Sequence, residues 1–272
     1  MHYKVLFLSM SCNDPFFEIS RKVVEDTWAK DIINGKYPGI GYYSYTSSSY
    51  DMDYINGNTI YVNVSDNIED TYEKTIKVFE VLRDNGITFD YIIRTNTSVY
   101  FNIPLILGML DKNKGIDLMG PMLFNINFDM KEYSMIIGNM MFLSRRVVDS
   151  LVDNYNVYNK NNVILSEGVN PYDDVLISIF SQILINDINI RIIDNKDICF
   201  YKPILNNKYI YIEDIDEVKK FIKCHNYTFD PNCVLYNPFI KVRLNGIDTK
   251  HRYIELEHMY ELDKVYRDYV IV

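Results

Sequence analysis

Strand and helix signals alternate along the first two thirds of the chain, and this alternation restricts the possible folds more than any other feature. Short apolar runs typical of strands are followed by segments with helical apolar spacing, and Pro or Gly marks the ends of several segments. The predicted strands are residues 4–10, 39–46, 59–64, 89–93 and 136–143, and the predicted helices are residues 15–35, 68–85, 145–155 and 174–185. This pattern predicts an α/β fold in which helices flank a mostly parallel sheet.

Two parts of the chain have weaker patterns. Residues 47–58 are rich in Ser and Asp and are predicted to form a loop between two strands. Strands near Ile190 and Cys199, a helix over residues 214–224 and a terminal helix over residues 255–267 are predicted for the last part.

Composition and charge narrow the function classes. With 272 residues, of which 48% are hydrophobic, the chain can bury one large core. Its 37 acidic and 28 basic residues give a net charge of −9, which repels a phosphate backbone, so we expect no nucleic-acid partner. No apolar run approaches the ~20 residues of a membrane span, and no signal peptide is recognisable. We therefore predict a cytoplasmic protein, and the 24 Tyr residues are typical of a viral or other AT-rich genome.

A polar segment, residues 94–98 (RTNTS), follows the predicted buried strand 89–93. Ligands of open α/β sheets bind at the carboxyl ends of such strands, so this segment is a candidate binding turn. The alternative is an Asx or Ser/Thr turn that only closes the strand.

Four segments, in a fixed order, resemble motifs of the β-1,3-galactosyltransferase and Fringe group of GT-A glycosyltransferases. They are residues 21–28 (RKVVEDTW, similar to RRxxIRxTW), 70–75 (DTYEKT, similar to DxYxNLT), 91–102 (YIIRTNTSVYFN, similar to YxxKxDDDxFVN), and 138–144 with 171–175 (GNMMFLS and PYDDV, similar to GxxYxxS and EDV). Glu25 stands where the group has its second arginine. The resemblance covers about residues 5–185 and implies a GT-A fold: one domain with a Rossmann-like, mixed, mostly parallel sheet.

The resemblance also implies a function and a domain plan. Residues 1–200 would be the glycosyltransferase core, with the nucleotide-sugar site before about residue 102 and the acceptor and catalytic part after it, and residues 201–272 would be an elaboration. The expected reaction is that of an inverting hexosyltransferase, which moves a sugar from a nucleotide-sugar donor, a UDP-sugar, to a hydroxyl of a glycan or glycoprotein acceptor. The alternative is an inactive GT-A-like protein that binds carbohydrate or serves as a scaffold.

The residues that the resemblance assigns to the nucleotide sugar lie in three motifs. They are Arg21, Arg94, Asn96, Thr97, Ser98 and Gly138.

No metal site is predicted, although Mn²⁺ or Mg²⁺ remains possible as a cofactor. The group's metal-binding acids align with Asn96, Thr97 and Ser98, which are neutral and poor ligands for these ions. Asp-x-Asp does occur at residues 51–53 and 214–216, but we interpret the first as part of a loop and the second as a helix start.

Asp174 and, as second choice, Asp173 are the candidate general bases, because the group's base lies in the motif that aligns with PYDDV. The alternative is simple capping, since an Asp before an apolar helix is a good N-cap.

A late basic cluster offers cations for the leaving diphosphate if no metal does. Its members are Lys241, Arg243, Lys250 and Arg252. The alternative is a solvated basic hairpin.

Overall fold

The computed structural model describes residues 1–162 and 172–193, and after them residues 204–205, 208–209, 241–243, 256–257, 259–264 and 267. The chain divides into two compact units. One contains Met1–Glu18, Ile32–Thr97 and Gly115–Ile193, and the other contains Ile19–Asp31, Ser98–Lys114 and the described residues from 194 onward. The expected boundary near residue 200 stays a prediction.

Within the described residues the predicted elements occur in the predicted order, but the helix predicted over residues 15–35 is two helices, and the strands at residues 99–101 and 118–128 and the helix at residues 103–112 were not predicted. The strands are β1 (His2–Met10), β2 (Ile40–Ser47), β3 (Tyr54–Asn56), β4 (Thr59–Val62), β5 (Thr88–Asn96), β6 (Val99–Phe101), β7 (Leu118–Phe128), β8 (Lys131–Ile136), β9 (Met141–Ser144), β10 (Ile190–Ile193), β11 (Ile204–Leu205), β12 (Lys208–Tyr209) and β13 (Lys241–Arg243). The helices are α1 (Pro15–Asp26), α2 (Lys30–Ile33), α3 (Thr71–Asp84), α4 (Ile103–Lys112), α5 (Arg145–Asp153) and α6 (Asp173–Leu184).

The first unit is built on a sheet that has nine strands within the described residues, in the order β10-β7-β9-β5-β1-β2-β4-β3, with β8 paired to β7. β1 runs parallel to β2 and β5, β2 parallel to β4, and β10 parallel to β7. β9 is antiparallel to both β5 and β7, so β7 and β10 point the same way as β1. The predicted α/β class, with a mixed and mostly parallel sheet flanked by helices, is confirmed.

The core of this unit lies between the sheet and α3, α5 and α6, which pack against one another. On α3 the predicted apolar face is buried, including Tyr72, Ile76, Phe79 and Leu82. Complete burial of one such aliphatic or aromatic side chain stabilises a fold by about 1.5–3 kcal/mol.

Two predicted segments are wrong because each contains a turn that divides it. Residues 47–58 are not one loop, since β3 forms an antiparallel hairpin with β4. Gly57, with φ +57°, is the first residue of its two-residue turn, a position that glycine occupies without strain. The predicted strand 136–143 is two strands, β8 and β9, with a turn at residues 138–140 between them.

The second unit contains α4 and β6, and β6 pairs with β13 in antiparallel register. Trp28 packs edge-on against Phe101, with their ring centroids 5.0 Å apart. The described residues of the predicted terminal helix are helical, and Arg267 there pairs with Asp263 and Asp31. The predicted helix 214–224 and the predicted strand near Cys199 lie outside the described residues.

Among the described residues no helix is both long and apolar enough to cross a membrane.

Candidate functional site

Arg94 lies near the carboxyl end of β5, in the middle of the sheet. Its strand neighbours are Leu8 on β1 and Met141 on β9, so the segment from residue 94 to 96 is strand and not the predicted turn. The side chain is only 4% exposed and forms an ion pair with Asp173, which is 6% exposed. Arg94, which the resemblance assigns to the nucleotide sugar, is therefore an internal cation, and this geometry does not support direct contact between Arg94 and a diphosphate.

Hydroxyl groups from two other elements complete the surroundings of Asp173. Thr75 on α3 donates from Oγ1 to Asp173 Oδ2 over 3.4 Å, and the Tyr45 hydroxyl on β2 lies 3.1 Å from Thr75 Oγ1. Burial raises the pKa of the Asp173 carboxyl, the charge of Arg94 opposes this shift, and Asp174 adds to it. Burial alone would lower the pKa of Arg94, but the charge of Asp173 raises it beyond the ordinary arginine value. Arg94 therefore remains charged and requires a buried counter-ion.

Gly138, in the turn between β8 and β9, lies between Arg94 and Asp174. Arg94 Nη1 donates to the Gly138 carbonyl oxygen, and the Gly138 amide donates to Asp174 Oδ2 over 3.2 Å. A Cβ at this position would lie 2.6 Å from Arg94 Nη1 and 2.9 Å from the Asp174 Cβ, both closer than packed atoms approach. Glycine is thus required here by the close approach of two side chains.

Asp173 and Asp174 occupy the first turn of α6, where the helix dipole favours negative charge. The residue before them, Tyr172, is the N-cap and makes no side-chain capping bond. Asp174 accepts from the Val175 amide over 3.0 Å as well as from Gly138, and it is partly exposed whereas Asp173 is buried. Capping in the ordinary sense therefore does not explain the pair, and the more accessible carboxylate is that of Asp174.

The polar residues after Arg94 lie at the predicted carboxyl edge of the sheet. Asn96 ends β5, and Thr97 and Ser98 form the turn that leads into β6. Thr97 is buried, whereas Asn96 and Ser98 are partly exposed. Within the described ranges no group of three or more His, Cys, Asp and Glu side chains is arranged to hold a metal ion.

The Asp-x-Asp of residues 51–53 lies in the loop segment directly before β3, as predicted. Asp53 Oδ1 accepts from the Asn63 amide over 2.6 Å, and its other oxygen lies 3.4 Å from Lys77 Nζ. Asp51 is exposed. The second copy, residues 214–216, lies outside the described residues.

A buried lysine on α3, not predicted as a site residue, holds the segment after β1 in place. Lys74, buried on α3, donates from Nζ to the Ser11 carbonyl over 2.6 Å and forms an ion pair with Asp66. Asp66 also accepts from the Asn13 amide over 2.5 Å. The sequence did contain one indication of this buried lysine, because Lys74 lies close to the apolar face of the predicted helix. The network fixes the backbone at the carboxyl end of β1.

The structure describes only some of the remaining predicted site residues, which are Arg21 and the late basic cluster. Arg21 on α1 is partly exposed, with its Nε 4.0 Å from Glu25 Oε1. Lys241 and Arg243 lie in β13, whose register places Arg243 opposite Val99. Lys250 and Arg252 lie outside the described residues.

Comparison with known proteins adds one finding on the fold. No protein-family model and no curated protein sequence matches the chain. The structure is similar to one described as "Crystal structure of a glycosyltransferase involved in the glycosylation of the major capsid of PBCV-1", with a TM-score of 0.50 and 13% sequence identity over 94% of this chain and 98% of that chain. The chain therefore shares the α/β fold of that protein. At this identity the likeness concerns the fold alone, and the chemistry must be argued from the residues.

Proposed function

We propose that this protein is a GT-A glycosyltransferase that moves a sugar from a nucleotide-sugar donor, a UDP-sugar, to a hydroxyl of a glycan or glycoprotein acceptor. The observation that carries the proposal is the unequal pair of carboxylates at the start of α6. Asp173 is closed off and compensated by Arg94, while Asp174 is partly exposed. On a fold shared with a glycosyltransferase, that leaves Asp174 as the group that can meet an acceptor.

In the proposed reaction the acceptor hydroxyl oxygen attacks the anomeric carbon of the donor sugar. A new C–O bond forms while the bond from the anomeric carbon to the diphosphate breaks, and the diphosphate leaves with the electron pair. Asp174 takes the hydroxyl proton as general base, a step that contributes typically 10²–10⁴-fold to the rate. Attack opposite the leaving group inverts the anomeric centre.

The leaving diphosphate also needs positive charge or hydrogen-bond donors. Asn96, Thr97 and Ser98 are neutral and offer only hydrogen bonds. We therefore propose that basic side chains, in place of a metal ion, stabilise the negative charge of the leaving diphosphate. Lys241, Arg243, Lys250 and Arg252 are the residues we propose for that role, together with Arg21.

The experiment that tests the proposal measures release of nucleoside diphosphate from a panel of nucleotide sugars, with and without oligosaccharide acceptors. We expect turnover with one donor that increases when an acceptor is added, and a product whose anomeric configuration is inverted in its NMR spectrum. A ligand that binds only the native state at about 100 times its Kd raises stability by about 2.7 kcal/mol, so thermal shift reports donor binding independently. Neither binding nor turnover with any donor would reject the proposal.

A second function has one observation in its favour: the neutral segment Asn96-Thr97-Ser98 in place of the acids of the resembling group. It is that of a carbohydrate-binding or scaffold protein without transferase activity. In that case glycans, but no nucleotide sugars, raise the melting temperature.

A further inference from the structure

We propose that Arg94 is a positioning residue, which acts through Gly138 and Asp173 to hold the Asp174 carboxylate in its reactive orientation. The inference rests on the proposed function of Asp174 as general base. It differs from the role predicted from the sequence, in which Arg94 contacts the donor.

The first link runs through the backbone of Gly138. Arg94 Nη1 binds the carbonyl oxygen of this residue, and the amide of the same residue donates to Asp174 Oδ2 over 3.2 Å. The missing Cβ lets Arg94 and Asp174 approach the backbone from two sides. A shift of the guanidinium therefore moves the donor that orients the Asp174 carboxylate.

The second link runs through Asp173, which directly precedes Asp174 in α6. Arg94 Nη2 pairs with Asp173 Oδ2, and Thr75 on α3 donates to the same oxygen. The first turn of the helix is thereby fastened to β5 from inside the fold. Asp174 is held at its backbone by this link and at its carboxylate by the first.

Arginine suits this task because its planar guanidinium presents several N–H donors in a fixed fork. Nη1 donates to the Gly138 carbonyl while Nη2 pairs with Asp173. Nη2 also lies 3.4 Å from the Met10 sulfur. A lysine is a single point charge and cannot hold both groups in one geometry.

The test uses the double variant Arg94→Met/Asp173→Asn, because Arg94→Met alone leaves a buried unpaired carboxylate. The double variant removes both charges, so we expect its melting temperature to recover relative to the single variant. We expect kcat to fall by about 10²-fold, a loss that about 1 Å of misplacement can cause. The donor KM should change by less than about twofold, because uniform donor binding is retained. The control is Arg83→Met/Asp153→Asn, which removes an exposed pair and should leave kcat unchanged.

Two kinetic outcomes overturn the inference. A double variant with wild-type kcat would mean that Arg94 only balances the charge of Asp173. A raised donor KM with unchanged kcat would mean that Arg94 contacts the donor.

A second readout does not depend on turnover. The chain contains 11 glycines, so a ¹⁵N-glycine spectrum is simple, and the Gly138 signal is the one that Gly138→Ala removes. In the double variant we expect the Gly138 amide to exchange at least about tenfold faster, because local opening costs less free energy. Unchanged exchange of the Gly138 amide overturns the inference, whether or not the wild-type protein turns over a donor. Absence of turnover in the wild-type protein would by itself reject only the proposed function.

Discussion

The Arg94 guanidinium and the Asp173 carboxylate form an ion pair inside the first unit, with exposed fractions of 4% and 6%. One partner lies on the central strand β5 and the other at the start of α6, so the pair joins sheet and helix where the candidate base is located. Neither charge has access to bulk water, and each therefore depends on the other.

Removal of Asp173 alone should severely destabilise the protein. In Asp173→Ala the Arg94 charge is left buried without its counter-ion, which costs about 3–5 kcal/mol. Urea unfolding measures the loss. The matched control is Asp153→Ala, which removes the exposed partner of Arg83 and should cost less than about 1 kcal/mol. Equal small losses in both variants would mean that the Arg94 pair is not closed to solvent.

Substitution of Gly138 should affect catalysis more than its cost in stability explains. In Gly138→Ala the new methyl group meets Arg94 Nη1 and the Asp174 Cβ, so Asp174 must shift, and we expect kcat to fall by at least about tenfold. Gly41→Ala is the control, because its methyl group meets the Tyr3 ring at 2.6 Å instead. Both variants should lose stability, about 1–3 kcal/mol for overpacking, but only Gly138→Ala should lose turnover. Parallel loss of kcat in the two variants contradicts this.

Much of the fold could be predicted because apolar periodicity reports burial directly. The buried face of α3 and the strand β1 had clear patterns, and both were predicted nearly to their ends. The β3–β4 hairpin was not predicted: Gly57-Asn58 is a good two-residue turn, but the neighbouring Ser and Asp residues are more typical of a loop than of strands.

The site was less predictable because pairings between distant residues leave no periodic signal. The sequence places Arg94 before three polar residues, and only the pairing of β5 with both β1 and β9 shows that this position is interior. Similarly, nothing in the sequence indicates that Gly138 separates Arg94 from Asp174. Adjacent aspartates were predicted as alternatives for one role, whereas the fold gives them different environments.

Stability should fall at low pH partly through Asp66. Burial alone raises the pKa of Asp66, but the hydrogen bonds from Lys74 and the Asn13 amide outweigh this and lower it below the ordinary value of 3.8. Because the folded-state pKa is the lower one, Asp66 stabilises the fold above its unfolded-state pKa, and this contribution is lost as pH falls through the folded-state value. Urea unfolding at pH 7 and near pH 3 should show a smaller difference for Asp66→Asn than for the wild type. An identical difference would contradict the assignment.

Transfer or donor hydrolysis should proceed without a divalent metal. The neutral Asn96-Thr97-Ser98 segment lacks the carboxylates that Mg²⁺ and Mn²⁺ prefer, so cationic side chains must offset the charge of the leaving diphosphate. EDTA should leave activity intact. Arg243→Ala or Arg252→Ala should lower activity and weaken nucleotide binding, since one charge-assisted hydrogen bond contributes about 1.5–3 kcal/mol. Activity that disappears in EDTA and returns with Mn²⁺ would contradict this prediction.

Turnover of Asp174→Asn tests the central claim most directly. The amide keeps the size of the side chain, but its single oxygen can accept only one of the two hydrogen bonds that the Gly138 and Val175 amides donate to separate carboxylate oxygens, and it cannot take a proton at neutral pH. We predict that kcat falls by at least about 10²-fold while the free energy of unfolding falls by only about 0.5–1.5 kcal/mol, the cost of one hydrogen bond. Asp149→Asn, on the neighbouring helix α5, should keep full turnover. Wild-type kcat in Asp174→Asn would contradict the assignment of Asp174 as the general base.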